Sequence, residues 1–264
     1  MTMLAPPTAT PPTNPTRSKW WRLPAPPLRS RALRAAGLGG VTAAALALAV
    51  QSWLDAAPVQ PLLACAVFAA IMGGALGKIR DHHPHPIFGP ANHVTMLRAL
   101  LAALAASLLT EPAGAAVAWV LVMAAATIAV LDGVDGWLAR RTQLSSPFGA
   151  RFDMETDAFS MLVFSVLVWH HEKAGLWVIT IGLMRYAFVA AGWVLPWLAG
   201  PLRSTWRGKA VAIAQVVGLG IALLPIVPVR VSTLACAAAL ALLVWSFAID
   251  VGYLWRHRAA TAAT

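Results

Sequence analysis

Acidic side chains are scarce in this sequence: ten among 264 residues, against twenty lysines and arginines. Charged residues of both signs make up only 11% of the chain, while 59% of it is hydrophobic and the mean hydropathy is +0.70. That balance excludes an ordinary soluble globular domain. Cysteine is almost missing too. Cys65 and Cys236 both fall in apolar runs and read as small fillers, so no disulfide framework and no thiolate metal site is expected. No convincing internal repeat is visible. The net charge of +10 forms no stripe on a polar domain. It therefore argues against nucleic acid as a partner, and for membrane topology and anionic lipid as the reason for the excess.

What the chain has instead is long charge-free sequence. Residues 35–54, 56–77, 112–131, 210–229 and 231–249 carry no charge, and each approaches the ~20 residues that a bilayer-crossing helix needs. Three more stretches, 92–110, 149–169 and 174–198, are apolar but interrupted by polar residues. Together they predict an all-α integral membrane protein of eight crossings. The segment 92–110 opens polar and turns apolar, as expected of a helix whose first turns face a polar cavity at the interface. Twelve tryptophans fall mostly near predicted helix ends, the pattern of an interfacial aromatic belt.

Orientation follows from the basic residues. With a cytoplasmic N-terminus, the inside flanks collect seventeen of them, from Arg17 to Arg258 and including Arg203, while the outside keeps Lys173 and Arg230. Arg185 is left within a helix. Both termini are thus expected in the cytoplasm. Residues 1–34, rich in Pro, Thr and Arg, predict a disordered tail, too long and proline-rich ahead of the first apolar run to be a signal peptide. Residues 35–91 predict two helices and a polar connector, and 257–264 a short C-terminal tail. The connector holds His82, His83 and His85, but Pro84 and Pro86 interrupt regular geometry there. A structural role is expected for these histidines rather than a metal site.

Five of the ten acids fall between Asp132 and Asp157. Asp132 and Asp135 are three residues apart, and Asp153 and Asp157 four, so each pair projects from one helix face. Each charge at mid-membrane costs roughly 2.5–3.5 kcal/mol on insertion scales. Four uncompensated carboxylates would therefore cost on the order of 10 kcal/mol, a typical domain's whole stability. Something cationic must offset them, and clustered oxygen donors point to hard divalent ions. Along the same face as Asp132 lie Gly136 and Arg140, with Asp135 and Ala139 beside them. Small residues leave room for a ligand, and a guanidinium suits phosphate. A turn at Ser145, Ser146 and Pro147 brings the chain back, and Gly149 opens the returning helix. Carboxylates, a small-residue gap and an arginine together describe a site for a diphosphate carried by divalent cations.

The run from Asp132 to Asp157 fits D-x2-D-G-x2-A-R-x8-G-x3-D-x3-D at every fixed position. That pattern resembles the signature of the CDP-alcohol phosphatidyltransferases. The resemblance implies a six-helix catalytic core, here 92–256, with the first two helices added to it. It implies that Asp132, Asp135, Asp153 and Asp157 hold two divalent cations, Mg or Mn, and that Asp157 is also the general base. Gly136, Ala139 and Gly149 would make space for the cytidine, and Arg140 would approach the phosphates. A CDP-linked lipid such as CDP-diacylglycerol would donate its phosphatidyl group to a hydroxyl acceptor, releasing CMP, in phospholipid biosynthesis. Asn92, Thr95 and Arg98 match the Asn-x2-Thr-x2-Arg opening of the family's first core helix, which implies a place near the nucleotide.

The fifth core helix departs from the Gly-Lys-x-Lys-Thr-x2-Gln of one branch: Gly208, Lys209 and Gln215 are present, but Val211 and Ala212 replace the second Lys and the Thr. This sets a glycerol-phosphate acceptor in question, although Arg207 or Lys209 remains able to meet an acceptor anion. Arg185 is a further acceptor candidate, or else a structural partner of Asp250. Arg151 and Glu155 flank the second pair and read as its support or as each other's partners. The family also implies a homodimer, and the alanine-rich sequence suggests a bacterial inner membrane with the active site on the cytoplasmic side. Two other readings use an aspartate cluster. An intramembrane prenyltransferase spaces its two Asp motifs much farther apart. A cation transporter would not need Gly136, Ala139, Arg140 and Gly149 in register.

Overall fold

The computed structural model describes residues 28–83, 85–200 and 205–261. The expected tail up to residue 27, Arg203, and the side chains of His82 and Arg258 lie outside the described residues. Among the described residues there is no strand. Eight α-helices follow one another: α1 Leu28–Leu54, α2 Val59–His82, α3 Pro90–Ser107, α4 Ala115–Thr142, α5 Pro147–His170, α6 Ile179–Val194, α7 Trp206–Leu223 and α8 Val229–Thr261. Short 3-10 turns at Leu108–Thr110, Leu176–Val178 and Pro196–Ala199 flank α3 and α6.

The boundaries have local causes. Pro90 and Pro147 stand in the first turns of α3 and α5, where a missing N–H is harmless and φ is already helical. Ser146 caps α5 by accepting from the Gly149 N–H at 3.0 Å, and Thr205 caps α7 by accepting from Gly208 at 3.1 Å. Gln143, in the left-handed region at φ 55°, ends α4. The first helix begins at Leu28, inside the stretch expected to be disordered up to residue 34. Leu28, Ala32 and Ala35 bury one face there, and the Arg31 guanidinium donates to the Pro86 carbonyl at 3.3 Å. The arginines lie between those buried positions, which is why composition alone reads as tail.

Seven of the helices are long and apolar enough to cross a bilayer, the mark of an integral membrane protein. The eighth expected crossing, α5, is long enough, but its first three turns carry Arg151, Asp153, Glu155 and Asp157.

The third helix lies deepest. Ala99, Ala102, Ala103 and Ala105 are all buried on it, and such small side chains let neighbouring membrane helices approach closely. Two large apolar clusters meet around it. One gathers Leu108, Leu121, Leu167, Val168, Leu219, Leu223 and Cys236 from α3 to α8. The other gathers Phe68, Met72 and Ile79 of α2 with Phe88, Leu100, Phe148 and Phe152. Cys236 is fully buried in the first cluster, as expected of a filler. Polar ties fix the end where α1 meets α2: Gln60 Nε2 donates to Ser107 Oγ at 2.8 Å, and the Ala57 N–H to Glu111 Oε1 at 3.0 Å. At the opposite end, the α2–α3 connector lies against the turn between α4 and α5.

Helices α5 and α6 lie close together at Gly182, where an added Cβ would lie 2.3 Å from Leu162 Cα and 2.7 Å from Ser165 Oγ. Backbone cannot yield to that contact, so Gly182→Val is expected to force the pair apart and lower stability by about 1–3 kcal/mol or more. Gly40→Ala, with nothing within 4 Å of its added Cβ, is the tolerated control. Thermal unfolding of both variants in detergent checks the difference.

Candidate active site

Three helices supply the site. Asn92, Thr95 and Arg98 recur every three residues on α3, so they share a face. The last three turns of α4 carry Asp132, Asp135, Gly136, Ala139 and Arg140, and the first three of α5 carry Gly149, Asp153 and Asp157. The turn at 143–146 folds α5 back along α4, and the two aspartate pairs face each other as their spacing predicts.

The four carboxylates converge on one side chain. Arg98, 1% exposed, places Nη2 2.7 Å from Asp132 Oδ1 and Nη1 2.5 Å from Asp153 Oδ1, and it also pairs with Asp135 and Asp157. Thr95 Oγ1 lies 3.2 Å from Asp135 Oδ2 and 3.2 Å from the Ala91 carbonyl. Asp135 is 5% exposed, whereas Asp132, Asp153 and Asp157 are 53%, 39% and 44% exposed. The site therefore has a closed floor, built of Arg98, Thr95 and Asp135, and an open side.

Charge and donor chemistry decide what fits here. One guanidinium against four carboxylates leaves three negative charges unmatched at this point. Asp132, Asp135 and Asp153 each offer an oxygen within 4.8 Å of the others'. An all-oxygen, strongly anionic donor set of this kind suits a hard divalent cation.

The small residues divide in two. At Gly136 an added Cβ would meet Arg140 Nη1 at 3.4 Å, so Arg140 folds back along α4 over the gap, its head exposed. Ala139 is half-buried, and its carbonyl accepts from Ser145 Oγ at 3.1 Å. At Gly149 the room is taken by protein: an added Cβ would lie 2.8 Å from Asn92 Oδ1 and 3.3 Å from Ser146 Oγ. Asn92 is held there by donating to the Phe88 carbonyl at 2.5 Å. Gly149 thus lets α3 and α5 close up.

The other basic candidates lie elsewhere. Arg185 pairs with Glu155 at 3.3 Å, and Asp250 pairs with Arg207. Of the alternatives read from the sequence, a pair of Arg185 with Asp250 and one of Arg151 with Glu155 are corrected: Glu155 takes Arg185 and Asp250 takes Arg207. The reason is which helices pack together: α6 lies on α5, which carries Glu155, and α7 on α8, which carries Asp250. Arg207 also lies over the Trp245 ring at 5.9 Å. Lys209 is exposed on α7. The ion pairs of Arg185 and Arg207 do not reach the four aspartates.

Sequence reasoning placed Arg98 beside a nucleotide and missed that it is the hub of the carboxylates. The available signal was its isolation, as the lone charge between residues 91 and 110. Of the connector histidines expected to be structural, His83 and His85 meet protein groups. His83, 7% exposed, contacts Ser146 Oγ through Nδ1 at 2.8 Å and the Ile87 carbonyl through Nε2 at 2.8 Å. His85 Nε2 lies 3.3 Å from the Ser145 carbonyl.

A family model described as CDP-alcohol phosphatidyltransferase matches residues 88–245, more than half of the chain and the whole of this site. No curated protein and no solved structure shows significant similarity to it.

Removing Arg98 would leave Asp135 buried without its cation, and breaking a buried pair in this way costs about 3–5 kcal/mol. Arg98→Leu is therefore expected to lower thermal stability far more than Arg140→Leu, both unfolded in detergent without added metal. Burial holds the His83 imidazole below its ordinary value of 6.5, with His85 adding to the effect. The unfolded chain then takes up a proton near pH 6.5 while the folded chain resists it. The stability contributed by the neutral ring is present above pH 6.5 and is lost as pH falls below it. Thermal midpoints measured from pH 7.5 to 5.5 should fall, and fall less steeply in His83→Asn.

Proposed function

The chain belongs to the CDP-alcohol phosphatidyltransferase family, and on that footing we propose that it transfers a phosphatidyl group from a CDP-linked lipid such as CDP-diacylglycerol to an alcohol, in phospholipid biosynthesis. The observation that carries this reading is the convergence of Asp132, Asp135, Asp153 and Asp157 on one point beside an open side of the bundle. The catalytic core is α3–α8, preceded by two additional helices, and the start of the family match just before α3 supports that division.

Asp132, Asp135, Asp153 and Asp157 would hold two divalent cations, Mg or Mn. Bound there, such ions neutralise a diphosphate and stabilise charge on the departing phosphate. The chain's own residues position and move the proton. Asp157, on the open side, accepts the proton of the acceptor hydroxyl. The hydroxyl oxygen then forms its bond to the phosphorus distal to cytidine, the bond from that phosphorus to the bridging oxygen breaks, and CMP carries away the electron pair. Gly136 and Ala139 leave the face of α4 low beside the carboxylates, and Arg140 reaches along it with a guanidinium suited to phosphate. Asn92 and Gly149 set the separation of α3 from α5, while Thr95 and Arg98 form the floor. Arg185, Arg207 and Lys209 are the acceptor-side candidates.

The distribution of basic residues supports cytoplasmic termini, and an active site opening to the cytoplasm of a bacterial inner membrane. A homodimer is the assembly proposed.

Purified protein supplied with CDP-diacylglycerol and Mg or Mn is expected to release CMP with one of glycerol 3-phosphate, inositol, inositol phosphate, serine, choline or ethanolamine. Asp157→Asn should reduce the rate by at least roughly 100-fold, the lower range for a lost acid–base group. Silence across the panel from folded protein would overturn the donor assignment. Cation flux, or transfer of a prenyl group, without CMP release would favour the transporter or prenyltransferase readings instead.

A further inference from the structure

Ser146 occupies a pivotal place. Its hydroxyl accepts from the Gly149 N–H and so starts α5, and Asp153 and Asp157 follow one and two turns after Gly149. On its other side the hydroxyl meets His83 Nδ1 at 2.8 Å. The second ring nitrogen, Nε2, lies 2.8 Å from the Ile87 carbonyl, which can only accept. The ring proton therefore sits on Nε2, and Nδ1 is left to accept from the Ser146 O–H. A continuous chain of donors results: the Gly149 N–H to Ser146, Ser146 to His83, His83 to Ile87.

Packing supports the same contact. Phe148 stands edge-on to the His83 ring at 5.6 Å and stacks on Phe152 at 5.8 Å. Across the helix, Asn92 Oδ1 fills the space that a Cβ at Gly149 would need, which limits movement of α5 toward α3. His83 restrains its start from the other side. His83 precedes the residues that match the family, which begin at 88, so the restraint is supplied by the two-helix extension.

We propose that His83 is a positioning residue of the active site: by holding the Ser146 hydroxyl it fixes the first turn of α5, and with it the placement of Asp153 and Asp157. This rests on the reading of the aspartates as the metal-dependent transfer site.

The test compares wild type with His83→Ala, Ser146→Ala, the double variant, His83→Asn and His83→Gln, all as full-length protein in nanodiscs. Three readouts are taken: amide hydrogen exchange over residues 148–153 without metal, Mn affinity from the spectroscopic signal of free Mn, and kcat and KM for CMP release. His83→Ala and Ser146→Ala are each expected to speed exchange and weaken Mn binding by roughly fivefold, the factor carried by a lost helix cap. The double variant should be no worse than either single. The Asn side chain offers an acceptor where Nδ1 stood and should restore wild-type behaviour. Gln reaches only the Ile87 carbonyl and should not.

The opposite order, with Gln rescuing stability, Asn failing and Mn affinity unchanged throughout, would overturn the proposal and leave His83 as a tie within the connector. If His83→Ala does not fold, the Asn and Gln pair decides. Wild type that binds Mn but releases no CMP would sink the transfer reading while exchange and Mn affinity still judge His83. Wild type that does neither would overturn both.

Discussion

Everything near the site depends on gathering four carboxylates around one buried guanidinium. Ionised carboxylates within 4.8 Å of one another repel by roughly 3 kcal/mol a pair at an effective dielectric near 20. Three such pairs approach a domain's whole stability. Arg98 offsets part of this, because it reaches all four aspartates from a position no solvent enters. It cannot offset all of it, since one positive charge faces four negative ones. The remainder is carried by what prevents α3, α4 and α5 from separating: alanine-lined contacts along α3 and the aromatic packing of Phe88, Phe148 and Phe152. The charged centre is thus a load on the apolar core, which a cation at the cluster would relieve.

The apolar core that carries this load does not respect the division of the chain into an extension and a catalytic unit. Phe68, Met72, Leu76 and Ile79 of α2 share one cluster with Leu100 of α3 and Phe148 and Phe152 of α5. Polar ties join the extension to the rest near both ends of α2, Gln60 to Ser107 at one and His83 to Ser146 at the other. A helix pair held in this way acts as a buttress behind α3. The sequence boundary near residue 88 is therefore a boundary of family resemblance, with no matching break in packing.

Much of the arrangement was legible in the residues. Spacings of three and four put each aspartate pair on one face, and Ser146-Pro147 marked the start of the returning helix, so facing pairs followed from helical geometry alone. The centre of the cluster was not legible, because Arg98 lies 37 to 59 residues from Asp135, Asp153 and Asp157 in the chain, and its position depends on which face α3 turns to α4. The partners of Arg185 and Asp250 were left open in the sequence for the same reason. Charge complementarity proposes many pairs, and only helix adjacency selects among them. The start of α1 at Leu28 was hidden differently: composition sees Arg29, Arg31 and Arg34, while the buried face is spelled by Leu28, Ala32 and Ala35. Gly149 read as room for a ligand, and three-dimensional packing assigns that room to Asn92.

The exposure of the carboxylates divides the site into a closed and an open side. Asp132 lies ten residues before the end of α4, and Asp157 ten after the start of α5, about 15 Å along each helix from the shared turn. That depth is half the thickness of a hydrocarbon core, where ionisable groups face a water-filled cavity or one another. Here they do both. Asp135 is buried against Arg98 and Thr95, while Asp132, Asp153 and Asp157 stay open on the other side. The three exposed carboxylates thus give the site an open side between the last turns of α4 and the first turns of α5. The geometry thus leaves three carboxylates reachable by a charged ligand, while the fourth anchors the cluster to Arg98.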